Sequence, residues 1–241
     1  MPEGQVEIVS SCETCIVKGT MITLADGTKK PVEQLEQGEE LLVWNFEAGR
    51  YESSPVVMNH IVTESEYTIL HACFSDGTDI GIAYEHGFFD VTLGKYVYIN
   101  KSTLNDYIGH TFIKQGDIDE NTWDTAILTD VWVDTTITEV YSPVTACYLC
   151  IYTNGILSVT ADSDGFINIF DIDTTTMTYD KEKMKTDIET YGLFTYDDFR
   201  DIVPENIFNS FNGAWLKVAV GKGLVTIDEI YDLVNEYLYL V

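Results

Sequence analysis

Between Met21 and Val159 the chain sets short apolar stretches between turn residues, and the spacing predicts strands. Tyr67, Ile69, His71 and Cys73 alternate with Thr68, Leu70, Ala72 and Phe74, the period of two that gives a strand two distinct faces. Asp76-Gly77 and then Ile80 to Tyr84 follow, and Asp-Gly between apolar runs is a strong hairpin signal. The stretch from Ile16 to Trp44 reads the same way. Met21 to Leu24, a turn at Asp26-Gly27, a short Pro31 to Leu35 segment, Gly38 and Leu41 to Trp44 make strand, turn, strand. Further strands are predicted over 88–91, 96–99, 111–114, 126–133, 136–141, 146–152 and 156–159. Many short strands at close spacing point to one mainly β body.

After about Asp173 the period changes. Residues 179–191, 195–202, 205–211 and 227–240 carry helical spacing, with Ile227, Ile230, Leu233, Val234 and Tyr237 on one apolar stripe. Asn212-Gly213 and Gly221-Lys222-Gly223 interrupt it. The expected organisation is a flanking segment over 1–14, a β domain over 15–173 and a helical C-terminal subdomain over 174–241. No repeat or low-complexity tract is present.

Composition narrows the function. At 241 residues with 45% apolar and 22% charged residues, the chain can bury a substantial core. A formal charge of −27 would repel a phosphate backbone, so nucleic acid is not an expected partner. Residues 115–180 contain neither Lys nor Arg, which reads as a solvated acidic surface. No apolar run reaches the ~18 residues of a membrane-spanning helix. Met1-Pro2-Glu3-Gly4 lacks the basic and apolar regions of a signal peptide, so any export signal is expected on a parent chain. Five cysteines are too few for a disulfide scaffold of this size.

The segment from Cys15 through Gly19-Thr20, Asp26-Gly27, Pro31, Glu33-Gln34-Leu35 and Gly38 to Leu41-Leu42 resembles the opening block of Hint domains, the self-processing fold of inteins and hedgehog C-terminal domains. The resemblance extends to Gly77 through Ala83-Tyr84-Glu85-His86, like that family's second block, and to Val140 to Val144 and Asn154 to Leu157, like its last. It covers about Cys15 to Leu157. It implies a Hint-type β fold, and it implies that Cys15 is the nucleophile and His86 the group that protonates the departing amide nitrogen. The implied reaction is an N–S acyl shift at the Thr14–Cys15 bond. The substrate would be the chain's own N-terminal flanking polypeptide, the acceptor water or a small nucleophile, and no cofactor is implied.

The departures matter as much. Ala83 stands where the family usually carries Thr, and Ser142 where many inteins carry Asp. After Leu157 the chain reads Ser158-Val159-Thr160-Ala161-Asp162, without the His-Asn pair that completes splicing. The expectation is N-terminal cleavage or acyl transfer without ligation, in a module of a larger bacterial or viral precursor. The alternative is a Hint-fold module that has lost processing and serves a structural or interaction role.

Competing signals are weaker. Cys12-x-x-Cys15 and Cys147-x-x-Cys150 lie too far apart in sequence for a zinc knuckle. They read as independent thiols, with a Cys12–Cys15 disulfide capping the nucleophile as the alternative. Residues 160–171 overlap a calcium-loop pattern, but Thr160 stands where the first ligand should be Asp. The Gly221 to Glu229 stretch has almost no carboxylates in its loop and reads as packing.

Overall fold

A computed structural model describes residues 14–145, 148–160, 175, 180–201, 214 and 216–230. They fall into two compact units, a mainly β one through Thr160 and a helical one from Asp180 onward.

The β unit contains β1 (Thr14–Val17), β2 (Met21–Thr23), β3 (Lys29–Pro31), β4 (Glu40–Asn45), β5 (Arg50–Phe74) and β6 (Asp79–Asp90). It continues through β7 (Lys95–Asn100), β8 (Thr111–Gln115), β9 (Trp123–Thr145), β10 (Cys150–Thr153) and β11 (Ile156–Val159). The strands join in one antiparallel network ordered β3-β2-β10-β11-β8-β6-β1-β9-β5-β4, with β7 on β6. The predicted hairpins are present. Gly27 and Gly77 take φ of 84° and 87°, which only glycine adopts without strain, and Asn154-Gly155 at 48° and 91° closes β10 onto β11. Ile16, Leu70, Ile82, Phe88, Phe112 and Ile151 lie in the main core.

Four strands differ from expectation, the first being β6, which runs unbroken where two strands were predicted. β5 reaches back to Arg50, because Arg50 to Pro55 zips onto β4 and Val56 onward onto the end of β9. Register shifts between Val56 and Met58 and between Val62 and Ser65 break the alternation that would have marked it. β9 runs unbroken through Asp134 and Thr135, which pair with Ile69 and Thr68. The strand predicted over 146–152 starts only at Cys150; residues 146 and 147 lie outside the described set.

In the helical unit, α1 (Lys181–Tyr191) begins where the Asp180 side chain accepts from the N–H groups of Glu182 and Lys183. It ends at Gly192, with φ 75°. The helix predicted over 195–202 is a single 3-10 turn, Tyr196–Asp198, because Asp198 is engaged in capping Thr195 and Phe199 leaves helical space at φ −123°. An unpredicted six-residue helix, α2 (Leu216–Gly221), is too short to show a period. Its Gly221 lies on Tyr191, where a Cβ would come within 2.2 Å of the ring. Residues 227–230 are helical; the rest of the predicted 227–240 helix, and all of 205–211, lie outside the described residues.

Candidate functional site

Cys15 occupies the second position of β1, a strand paired on both edges. Cys15 faces Ala83 and Ile16 faces Ile82 on β6, while on the other edge Ile16 faces Tyr141 and Val17 faces Val140 on β9. Period-two alternation then separates the side chains. Ile16 enters the main core, and Cys15 enters a small cluster with Tyr67, Ile69, Ala83 and Val140. Gly81 makes the close approach of β6 possible, since a Cβ there would come within 2.7 Å of Val17 and 3.3 Å of Ile69.

The Cys15 side chain is fully buried, and its sulfur lies 3.7 Å from the Ser142 hydroxyl oxygen. That sulfur is disulfide-bonded. For Cys15 the expectation of an independent thiol is therefore corrected. Spacing could not reveal this, because the choice between thiol and disulfide is set by which sulfurs meet in three dimensions. Cys73 and Cys150 carry free thiols. Burial pushes the Cys150 thiol up to about 11, and its sulfur donates to the Trp44 carbonyl at 3.7 Å, which describes an inert structural cysteine.

His86 lies on β6 three residues beyond Ala83. Between them the ladder carries a bulge, with both Tyr84 and Glu85 set against Thr14. The extra residue shifts the alternation by one, so His86 has the face parity of Ala83, and the Thr14–Cys15 bond runs beside this stretch. The imidazole is 2% exposed and packs edge-on against Phe88, with ring centres 5.3 Å apart. Neither ring nitrogen has a hydrogen-bond partner among the described residues. Burial alone lowers its pKa to about 3, so the ring is uncharged at neutral pH. The ring thus offers one N–H donor and one lone pair.

A polar group reaches the Cys15 sulfur from β9, at Ser142, but not from its partner on β6. Ala83, fully buried opposite Cys15, supplies none. The network that motif reading missed lies along the β1–β9 edge. Lys18 Nζ and the Tyr141 hydroxyl both donate to Glu139 Oε2, at 2.7 and 2.8 Å. Burial first, and then the Glu139 carboxylate, push the Tyr141 hydroxyl up to about 12. The signal available in sequence was a Glu-x-Tyr on a strand beside the motif, too common to single out.

Among the described residues no group of three or more His, Cys, Asp or Glu is placed to hold a metal ion. The calcium-like loop over 160–171 lies outside them except for Thr160, and so do Cys12 and Cys147. The Gly221 to Glu229 stretch contains a helix cap, with the Thr226 N–H and hydroxyl donating to Glu229 Oε2 at 2.8 and 2.7 Å. No helix among the described residues is long and apolar enough to cross a membrane.

Comparison with protein-family models finds no match, and comparison with curated proteins finds none. Solved structures do match. The TvoVMA intein superposes with a TM-score of 0.51 at 13% identity, over 62% of this chain and 98% of its own. The PabCDC21-1 intein gives 0.50 at 14%, over 61% and 98%. A bacterial intein-like domain from Clostridium thermocellum gives 0.49 at 17%, over 61% and 98%. The β unit thus has a Hint, intein-like fold, as the block resemblance implies.

Proposed function

We propose that this chain is an autoprocessing Hint module that carries out an N–S acyl shift at the Thr14–Cys15 bond, without full splicing. The observation that carries the reading is the position of Cys15 on the doubly paired strand β1 of an intein-like fold, beside Ala83 to His86. With its thiol free, the Cys15 sulfur attacks the Thr14 carbonyl carbon. The carbon–nitrogen bond breaks, the nitrogen takes up a proton, and the preceding segment is left as a thioester on the sulfur. His86, uncharged at neutral pH, serves by donating its N–H to the departing nitrogen. Ser142 lies against the sulfur where it can donate a hydrogen bond to developing negative charge. Water or a small nucleophile then takes the acyl group and releases residues 1–14. Ligation is not expected, because no Asn follows Leu157 at the end of the last block.

The test is intact mass after incubation of the full chain with dithiothreitol, which opens a disulfide and intercepts a thioester. The expected product begins at Cys15. Cys15→Ala abolishes it, and His86→Ala slows it by roughly 10²–10⁴-fold. The absence of any polar side chain at Ala83 favours a second reading, a Hint-fold module that keeps the scaffold without the reaction. An intact chain after long thiol treatment establishes that reading instead.

A further inference from the structure

We infer that the edge of β9 between Leu128 and Glu139 is a docking strand for an arginine-bearing extended segment of another polypeptide. Lys18, just past β1, donates its N–H to the Glu139 carbonyl, so Glu139 turns its backbone to the edge away from β5. The ladder with β5 runs without a register shift from Thr138 to Asp130. Alternation then puts the backbone groups of Val131, Val133, Thr135 and Ile137 on that same edge. Among the described residues no strand pairs there: the β8 ladder ends where Leu128 bonds His110, and β1 joins at Val140. The Thr135 N–H turns instead to its own neighbour and donates to the Asp134 carboxylate at 2.6 Å. Residues 132–135 are exposed on both faces of the strand, and Ile137 is 68% exposed. Of the seven exposed large apolar side chains among the described residues, Trp123, Ile127, Trp132, Val133 and Ile137 lie on β9. An apolar edge about 20 Å long is a template for one more strand.

Charge decides the occupant. One face of the edge carries Asp130, Trp132 and Asp134 at alternate positions, in a stretch from 115 to 180 that has no Lys or Arg. Trp132 is held in place between the two carboxylates. His71 stacks flat on its ring, with centres 3.9 Å apart and planes 5° from parallel, and Asp79 holds His71 through Nδ1 at 3.0 Å. The indole is still 42% exposed. A guanidinium on a docked strand opposite Trp132 lies on the indole, with a carboxylate two residues away on either side. Cation–π attraction and charge-assisted hydrogen bonds then act together. The other face, Val133, Thr135 and Ile137, takes the apolar residues that alternate with the cations. A second copy is disfavoured, because pairing two such edges crowds the aspartates of both together, and two bodies of charge −27 repel. The segments of this chain outside the described residues contain no Lys or Arg, so the cation comes from another polypeptide.

The probe is a short fluorescent peptide alternating Arg and Val, titrated with the full chain at physiological salt and read by anisotropy. In the docked register each Val meets an edge-facing residue of β9, so its N–H enters the ladder. One control peptide carries Glu for Arg. A second keeps every Arg but carries Pro for Val, which removes the ladder donors and leaves the charge. The Arg-Val peptide should bind and both controls should not. Trp132→Ala, and Asp130→Asn with Asp134→Asn, should each weaken binding about tenfold. Ile137→Lys should do the same from an exposed position that leaves the core untouched. Glu47→Gln with Asp106→Asn, exposed carboxylates off the edge, should leave the affinity as in wild type. Failure of the Arg-Val peptide to bind overturns the docking strand. Equal binding of the Pro peptide does so too, since it shows attraction by charge alone, as does unchanged affinity in both Trp132→Ala and Ile137→Lys. Sedimentation of wild type as a dimer that Ile137→Lys dissolves would give the edge to a second copy and overturn the proposal as well.

Discussion

His86 should make this protein lose stability on mild acidification, before its carboxylates are involved. The folded value near 3 lies well below the ordinary 6.5, so in this interval the unfolded chain binds a proton that the native state excludes. Stability therefore rises with pH between the two values and falls as pH drops from 6.5 towards 3. Each pH unit in that interval is worth about 1.4 kcal/mol, which makes the loss about 2 kcal/mol at pH 5 relative to pH 7.5. Asp76 acts in the same direction at lower pH. Burial raises its pKa, but hydrogen bonds from Lys114 and Thr78 outweigh this and hold it at about 2, so its contribution is complete above its ordinary value of 3.8. Urea unfolding at pH 7.5, 6.5, 5.8 and 5.0 on wild type and His86→Gln, under one redox condition, isolates the imidazole. The substitution has a fixed cost from repacking, but the gap between the two proteins should shrink by about 2 kcal/mol from pH 7.5 to 5. A gap independent of pH would show that the ring is solvated or hydrogen-bonded in solution and would sink the argument.

Other outcomes follow from packing. Gly81→Ala drives a methyl group into Val17 and should lower the urea stability by about 1–3 kcal/mol. Asp90→Ala should cost about 2–3 kcal/mol, because the buried carboxylate accepts from the Thr92 and Leu93 N–H groups and pairs with His110 at 2.6 Å. Native-state alkylation followed by peptide mass should label Cys73 well before Cys150, which is buried and has its thiol raised to about 11; equal rates would contradict the packing around Trp44. Lys18→Met removes an exposed ion pair to Glu139 and should leave the unfolding midpoint unchanged.

Local chemistry was legible in this chain and covalent pairing was not. Asp26-Gly27, Asp76-Gly77 and the alternation from Tyr67 to Phe74 announce their hairpins, because a turn and its flanking period are set by adjacent residues. The first half of β5 is silent, since it carries polar Ser53, Ser54 and Asn59, its register shifts after Val56 and after Val62, and its partners lie on β4 and the far end of β9. The motif reading named Cys15 and His86. The disulfide on Cys15, the uncharged state of His86 and the Glu139–Tyr141–Lys18 contacts depend on what burial and pairing bring together across the sheet.

The insertion of β1 between β6 and β9 also sets a clock. The first strand of the body cannot find either neighbour until much later chain exists, and the sulfur of Cys15 meets Ser142 across 127 residues of sequence. At a synthesis rate of 5–20 residues per second, roughly 6–25 s separate the appearance of the two groups. During that interval β1 stays unpaired on its β9 edge, and only afterwards is the strand gripped from both sides. The order of residues along the chain therefore delays assembly of this end of the sheet until Tyr141 and Ser142 have been made.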